Sequence, residues 1–211
     1  MTITDIATGD IAATEDALML DAAAADLLFR TARTANTFSD DPVSDEQVRA
    51  IYDLIKWAPT SMNTQPLRII LVRSPEARER LVRHLSPGNQ AKTRSAPLVA
   101  IVAADIDFHE NLPQVFPHLP NARDFFTEPV AREQTARFNA GLQIGYFILG
   151  IRAAGLAAGP MTGLDATAVD KEFFADQPLR TLAVINIGKP GENPWFGRSP
   201  RLDYEQVVSV L

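Results

Sequence analysis

The sequence predicts one domain of mixed structure, α+β or α/β, with several helices around a small sheet. Three observations lead there. Leu98 to Ala103 (LVAIVA) is an unbroken apolar run, the pattern of a strand covered on both faces. Glu133 to Ala154 has the length of a long helix and is apolar almost all round, with Leu142, Tyr146, Leu149 and Ala153 on one stripe. Between such runs stand capping and turn residues at short intervals, with no internal repeat, low-complexity tract or linker. A chain of 211 residues suits a single domain with a substantial core.

Each element follows from its own residues. Residues 1–15 read as a flexible acidic extension, and residues 16–211 as the domain. Asp21 to Arg33, rich in Ala and Leu, reads as a helix. Ser44 is a good N-cap, and Gln47 three residues later completes a capping box. Val48, Ile51, Leu54 and Ile55 then fall at helical spacing until Trp57-Ala58-Pro59 ends the run. Leu67 to Val72 is a short β-branched run, expected as a buried strand. A helix is expected around Glu76 to Leu85, then a turn at Pro87-Gly88. Asp107 to Glu128 is rich in Pro and Phe and reads as a lid or insertion with short helices. Gly155-Leu156 caps the long helix. Leu156 to Met161 is expected as a strand, Ala166 to Phe174 as a helix and Leu182 to Ile187 as a last buried strand.

Composition removes several function classes. The net charge is −6, with no clustered Lys and Arg to grip nucleic acid and no polybasic segment for an anionic membrane. Cysteine is absent, so disulfides, thiolate metal sites and Cys nucleophiles are excluded. The three histidines, His84, His109 and His118, have no metal-ligand spacing. The first twenty residues carry Asp5, Asp10, Glu15 and Asp16 but no Lys or Arg, unlike a secretory or mitochondrial signal. No run of about 18 apolar residues is present to span a membrane. A soluble, cytoplasmic protein is expected. The chain also lacks a GxGxxG fingerprint, a Walker loop, HExxH and a GxSxG elbow.

Five polar segments remain as candidates for chemistry. In RTARTANTF, Arg33, Thr34 and Asn36 offer a cation, a hydroxyl and an amide suited to phosphate, although arginines at a helix end also answer its dipole. In WAPTSMNTQP, two prolines bracket Thr60, Ser61 and Asn63, uncharged groups suited to the edge of a heteroaromatic ring or simply to making their own turns. In GNQAKTRSAP, Asn89 and Lys92 lie one helical turn apart and can address one ligand, or the lysine is merely solvated. In GLAAGPMTGLD, small residues permit close backbone approach to something flat, or a tight turn. In GRSPRLDYEQVV, Arg198 and Arg201 flank a Pro turn in a segment that is otherwise solvent-facing unless an anion holds it.

Each segment is a weak signal, but their order is specific. Arg-Thr-x-Asn, APTSMNTQP, Asn-x-x-Lys, GPMTG and a C-terminal Arg-x-x-Arg-Leu together resemble the FMN-binding nitroreductase family over roughly residues 25–211. KWAPTSMNTQP, SPGNQAKTRSAP, LPQVFPH and GPMTG look most like its branch of malonic semialdehyde reductases from bacterial pyrimidine degradation.

The resemblance implies an α+β fold with a central, mostly antiparallel sheet, and an intertwined homodimer in which the last strand is donated to the partner. It implies FMN bound at the subunit interface, NADH or NADPH as electron donor and a small-molecule acceptor. Arg33 and Thr34 match the phosphate-holding positions, while Asn36 stands where the family often has a second arginine. Thr60, Ser61 and Asn63 match the loop around the flavin, contributed by the other subunit. Asn89 and Lys92 match the pair at the pyrimidine edge and ribityl chain, where a cation offsets charge on the reduced ring. Pro160, Thr162 and Gly163 match the segment beside flavin N5, with Thr-Gly where many members have Glu-Gly. Arg198 and Arg201 match the C-terminal basic pair near the phosphate. Gly141 and Gly145, four apart on the long helix, suit a tight helix contact, either at the dimer axis or within one subunit.

Overall fold

The computed structural model describes residues 18–211, so the extension read at residues 1–15 lies outside the described residues. A four-stranded antiparallel sheet forms the centre, in the order β1-β2-β4-β3. The strands are β1 (Leu67–Val72), β2 (Leu98–Asp105), β3 (Ala157–Met161) and β4 (Leu179–Gly188). Ile101 of β2 stands opposite Ile70 on one side and Val184 on the other, and Pro160 of β3 stands opposite Ile185 of β4. Every residue of β2 is buried, as an apolar run without alternation requires. β1 departs from the expected burial. It lies at the sheet edge, and all of it but Val72 is only half-buried, because one of its sides has no strand neighbour.

Successive side chains of the central strands point to opposite faces, so the sheet carries two cores. Val99, Ile101 and Val184 pack with Leu81, Val82 and Val169, which come from α3 (Pro75–Val82) and α7 (Ala166–Phe173). Leu98, Ala100, Val102 and Ile185 pack on the other face with Ile51, Ile55, Phe147 and Ile151. The latter four come from α2 (Asp45–Ile55) and the long α6 (Pro129–Ala153). Full burial of each such aliphatic side chain is worth about 1.5–3 kcal/mol.

The caps fall where the sequence places them. Ser44 and Gln47 form the reciprocal capping box of α2. At the end of α6, Gly155 takes φ +72° and the Leu156 N–H donates to Ile151 O at 3.1 Å, closing the helix. Two expectations need correction. The first helix is α1 (Ala22–Ala25) continued by a π-turn over Asp26–Arg30, so it stops at Arg30 and frees residues 31–36. Pro87-Gly88 is not a turn between elements but the first turn of α4 (Pro87–Ser95), where a proline at N1 needs no hydrogen bond. The Pro- and Phe-rich insertion contains the single-turn α5 (Leu112–Val115) between two 3₁₀ turns, as expected.

α6 also fixes the loop before β1. Asn139 Oδ1 accepts the Ser61 N–H at 2.8 Å, and Gln143 Oε1 accepts the Leu67 N–H at 2.9 Å. Both side chains are buried, so each satisfies a backbone donor that would otherwise cost free energy. The stripe of Leu142, Tyr146 and Ala153 faces outward, and ideal Cβ atoms built on Gly141 and Gly145 meet nothing within 4 Å. Packing within one subunit therefore does not account for those two glycines.

Candidate functional site

Residues 31–36 follow the π-turn, and this segment runs against the β3 edge of the sheet. The Ala35 N–H donates to Ala158 O at 3.3 Å. A side chain on Gly159 would place its Cβ 2.8 Å from Ala35 O, so a glycine is needed for the approach. The segment after β4 runs back along the other side: the Asn36 N–H donates to Pro194 O at 3.0 Å, and Thr37 Oγ1 donates to Glu192 O at 2.6 Å.

Between these strips lies a cavity of about 430 Å³. It gathers Arg33, Thr34, Asn36, Pro160, Arg198 and Arg201, drawn from three segments far apart in sequence. Arg152, from the last turn of α6, and Phe196 line it as well, and sequence reasoning did not single them out. The one available signal for Arg152 was a cation among apolar neighbours at a helix C-terminus.

The four guanidinium groups of the cavity are held by neutral oxygens. Arg33 donates to Phe196 O, and Arg152 to Leu27 O at 2.9 and 3.0 Å and to Thr31 Oγ1 at 3.3 Å. Arg198 donates to Arg30 O at 2.7 Å and Ala32 O at 3.3 Å, and Arg201 to Ser199 O at 2.9 Å. Among the described residues, none of the four stands in an ion pair with Asp or Glu. Of the arginines in RTARTANTF, Arg30 stands in the last turn of the π-turn, where a cation answers the helix dipole, whereas Arg33 lies beyond it; Arg152 and Arg198 satisfy carbonyls around the same turn. No carboxylate among the described residues compensates the charge of the four cavity guanidinium groups. Four such cations around one cavity form a strong anion site, and forked guanidinium donors match phosphate oxygens.

The second group sits beside this cavity. Lys92 Nζ donates to Asn36 Oδ1 at 3.4 Å, which ties α4 to the phosphate-type segment. Asn89 Nδ2 donates to Gly163 O at 3.0 Å, and the Ser86 N–H reaches the same oxygen at 2.9 Å. One amide N–H of Asn89 is therefore engaged in holding the loop after β3. A Cβ on Gly163 would lie 2.7 Å from that nitrogen. Thr162 is exposed next to it.

Thr60, Ser61 and Asn63 do not line the cavity within this chain. Their loop is tightly wound: Met62, Asn63 and Gln65 have φ of 50°, 52° and 43°, in the left-handed region. Thr60 Oγ1 accepts the Gln65 N–H at 3.3 Å, and Asn63 Nδ2 donates to Val115 O at 2.7 Å in the insertion. So the loop makes its own turns, as its composition allows, and the side chains of Thr60, Asn63 and Gln65 are engaged within it or with the insertion.

Comparisons with known proteins agree with this fold. A protein of Streptomyces coelicolor provisionally named NADH dehydrogenase/NAD(P)H nitroreductase is 64% identical over 195 residues, covering 92% of this chain and 99% of the relative. A structure from Bacillus subtilis provisionally assigned as a nitroreductase superposes with a TM-score of 0.79 at 23% identity, covering 87% of this chain and 97% of that chain. Another from Exiguobacterium sibiricum, provisionally assigned as a nitroreductase and solved in complex with FMN, gives 0.76 at 18% identity, covering 88% and 96%. The Nitroreductase family profile matches residues 30–189, a span that includes the segment of Arg33 to Asn36, the APTSMNTQP loop, α4 and β3. By that match and by the close relative, the chain belongs to the nitroreductase family.

Proposed function

We propose that the chain is an FMN-dependent NAD(P)H oxidoreductase working as a homodimer, with malonic semialdehyde, reduced to 3-hydroxypropanoate, as its acceptor. The observation that carries the cofactor reading is the set of four guanidinium groups around one cavity with only neutral oxygens as partners. A phosphate monoester with nearly two negative charges answers that excess, and the Thr34 hydroxyl adds a further donor. The names of the relatives support NAD(P)H as donor, and the Exiguobacterium structure supports FMN.

Bound FMN would supply hydride transfer between NAD(P)H and the acceptor. The chain's own residues supply binding, position and charge. Arg33, Arg198 and Arg201 hold the phosphate. Lys92, half-buried one helical turn from Asn89, offsets the negative charge that reduction puts on the ring. Pro160, Thr162 and Gly163 provide a small, flat wall at the end of β3.

The partner subunit supplies Thr60, Ser61 and Asn63 in this reading, because those residues do not line the chain's own cavity. An exposed apolar face on α6 supports the dimer: Phe138, Leu142 and Tyr146 are 70%, 42% and 42% exposed in the single chain. The choice of acceptor rests on the resemblance of KWAPTSMNTQP, SPGNQAKTRSAP, LPQVFPH and GPMTG to the semialdehyde-reducing branch. A broader reductase of nitroaromatics or quinones is the second reading, favoured by the name of the Streptomyces relative.

The test is the visible spectrum of purified protein before and after anaerobic NADH or NADPH, followed by reoxidation with malonic semialdehyde, a nitroaromatic and a quinone. A flavin band that bleaches, then returns fastest with the semialdehyde, is the expected result. A protein that takes up no FMN ends the cofactor reading. Bleaching with no semialdehyde turnover leaves the broader reductase, and bleaching that no acceptor reverses leaves a flavin-binding protein without turnover.

A further inference from the structure

The interior of β4 holds a polar side chain that packing alone does not call for. Asn186 stands between Ile185 and Ile187 with 0% exposure. Burying a carboxamide costs free energy unless it is hydrogen-bonded, and Asn186 Oδ1 has no partner among the described residues. Its Nδ2 donates to Thr93 Oγ1 at 3.2 Å. Thr93 is equally buried, and its hydroxyl donates one turn back to Asn89 O at 2.8 Å. From Asn89 the connection continues through Nδ2 to Gly163 O at 3.0 Å.

The same asparagine also touches the third strip of the cavity. It is the register partner of Gly159, and a Cβ on Gly159 would lie 3.5 Å from Asn186 Cβ and 2.8 Å from Ala35 O. α4 is thus bonded to this buried polar pair, and the middle of β3, which Ala35 approaches, lies directly beside it.

We propose that Asn186 and Thr93 are positioning residues, a buried relay that fixes α4 so that Asn89 and Lys92 face the cofactor at a set distance. This rests on the FMN reading above. Apolar side chains of similar volume would fill the space, but they would not set the rotation of α4 about its axis. A hydrogen bond with a defined direction does so. The relay ends one residue from Lys92, so a shift of α4 moves the cation relative to the ring.

The test uses the full chain with three variants. Thr93→Val removes the hydroxyl and leaves the shape, Thr93→Ser keeps the hydroxyl, and Thr93→Val with Asn186→Leu removes both buried polar groups together. FMN dissociation constant, midpoint potential of the bound flavin and Tm are measured for each. Thr93→Val is expected to weaken FMN roughly fivefold to tenfold and to lower the potential, with reduced Tm. Thr93→Ser should restore all three. The double variant should recover Tm, since no lone polar group remains buried, but neither affinity nor potential. Wild-type affinity and potential in the double variant would overturn the relay, leaving a purely structural pair, and this holds even if Thr93→Val fails to fold. A wild-type protein that binds no FMN would overturn the cofactor reading, and the relay with it, whereas variants that match a flavin-binding wild type overturn the relay alone.

Discussion

Lys92 Nζ donates to Asn36 Oδ1 across 3.4 Å, and through this contact α4 meets the segment that leaves the π-turn. Both residues are half-buried, so the lysine is neither a freely solvated surface cation nor a neutralised one. An amide at position 36 anchors the ammonium group without cancelling its charge. An arginine there would repel it, and an aspartate would pair with it.

Lys92→Ala should therefore weaken FMN by about tenfold, the worth of one hydrogen bond to a charged group. It should also lower the potential of the bound flavin, because the cation favours the reduced ring. Titration of apo-protein with FMN and a potentiometric titration check both. Normal affinity together with normal reduction by NAD(P)H would remove Lys92 from the site.

Arg33 offers a second, separable prediction. Its guanidinium already donates to Phe196 O, so it joins the tail to the cavity wall as well as carrying charge. Arg33→Ala should release FMN on dialysis, weakening it about tenfold to a hundredfold, and the remaining affinity should depend less on salt. Arg33→Lys keeps the charge but loses the fork, so it should recover only part of the loss. A dialysed Arg33→Ala protein that retains its flavin as wild type does would place the phosphate elsewhere.

Much of this was legible in the sequence because the signals were local. The capping box at Ser44 and Gln47, the buried run of β2 and the glycine stop after α6 are each set by residues within a few positions of one another. The edge position of β1 was not legible, since burial of a strand depends on whether a neighbour covers it. Nor was the π-turn at Asp26–Arg30, which places Arg33 beyond the helix rather than in its last turn. Of the cavity, the residues Arg33, Thr34, Asn36, Pro160, Arg198 and Arg201 come together in space as a group. Arg152 escaped notice because its role depends on where the end of α6 lies against the π-turn. Asn186 escaped because an asparagine in an apolar strand carries no hint of what lies across the sheet.

The insertion is expected to bear on acceptor choice. Phe108 and Leu112 are fully buried and anchor it, while the rings of Phe116 and His118 meet tilted at 56° with centroids 3.9 Å apart. Val115 O receives the Asn63 side chain, which ties the insertion to the loop expected beside the partner's flavin. Phe116→Ala with His118→Ala should change the ratio of kcat/KM between malonic semialdehyde and a nitroaromatic by about tenfold, with FMN affinity kept. Steady-state kinetics with both acceptors provide the check. An unchanged ratio would show that this segment takes no part in selecting the acceptor.

The outward face of α6 carries the last prediction. Leu142 and Tyr146 are exposed in the single chain, and the open surface over Gly141 and Gly145 leaves room for a second helix to approach closely. Substitution at an exposed position costs an isolated subunit within about 0.5 kcal/mol. At a symmetric contact the same change brings two unpaired charges into an apolar interface, at several kcal/mol. Leu142→Asp should thus leave helix content intact while converting a dimer to a monomer by light scattering. FMN affinity should fall in the same variant, because Thr60, Ser61 and Asn63 would no longer reach a neighbouring flavin. A Leu142→Asp protein that remains a dimer with full flavin would show that the subunits meet through another surface. A monomer that binds FMN as tightly as wild type would instead show that one chain holds the cofactor by itself, and the loop of residues 60–63 would lose its assigned part.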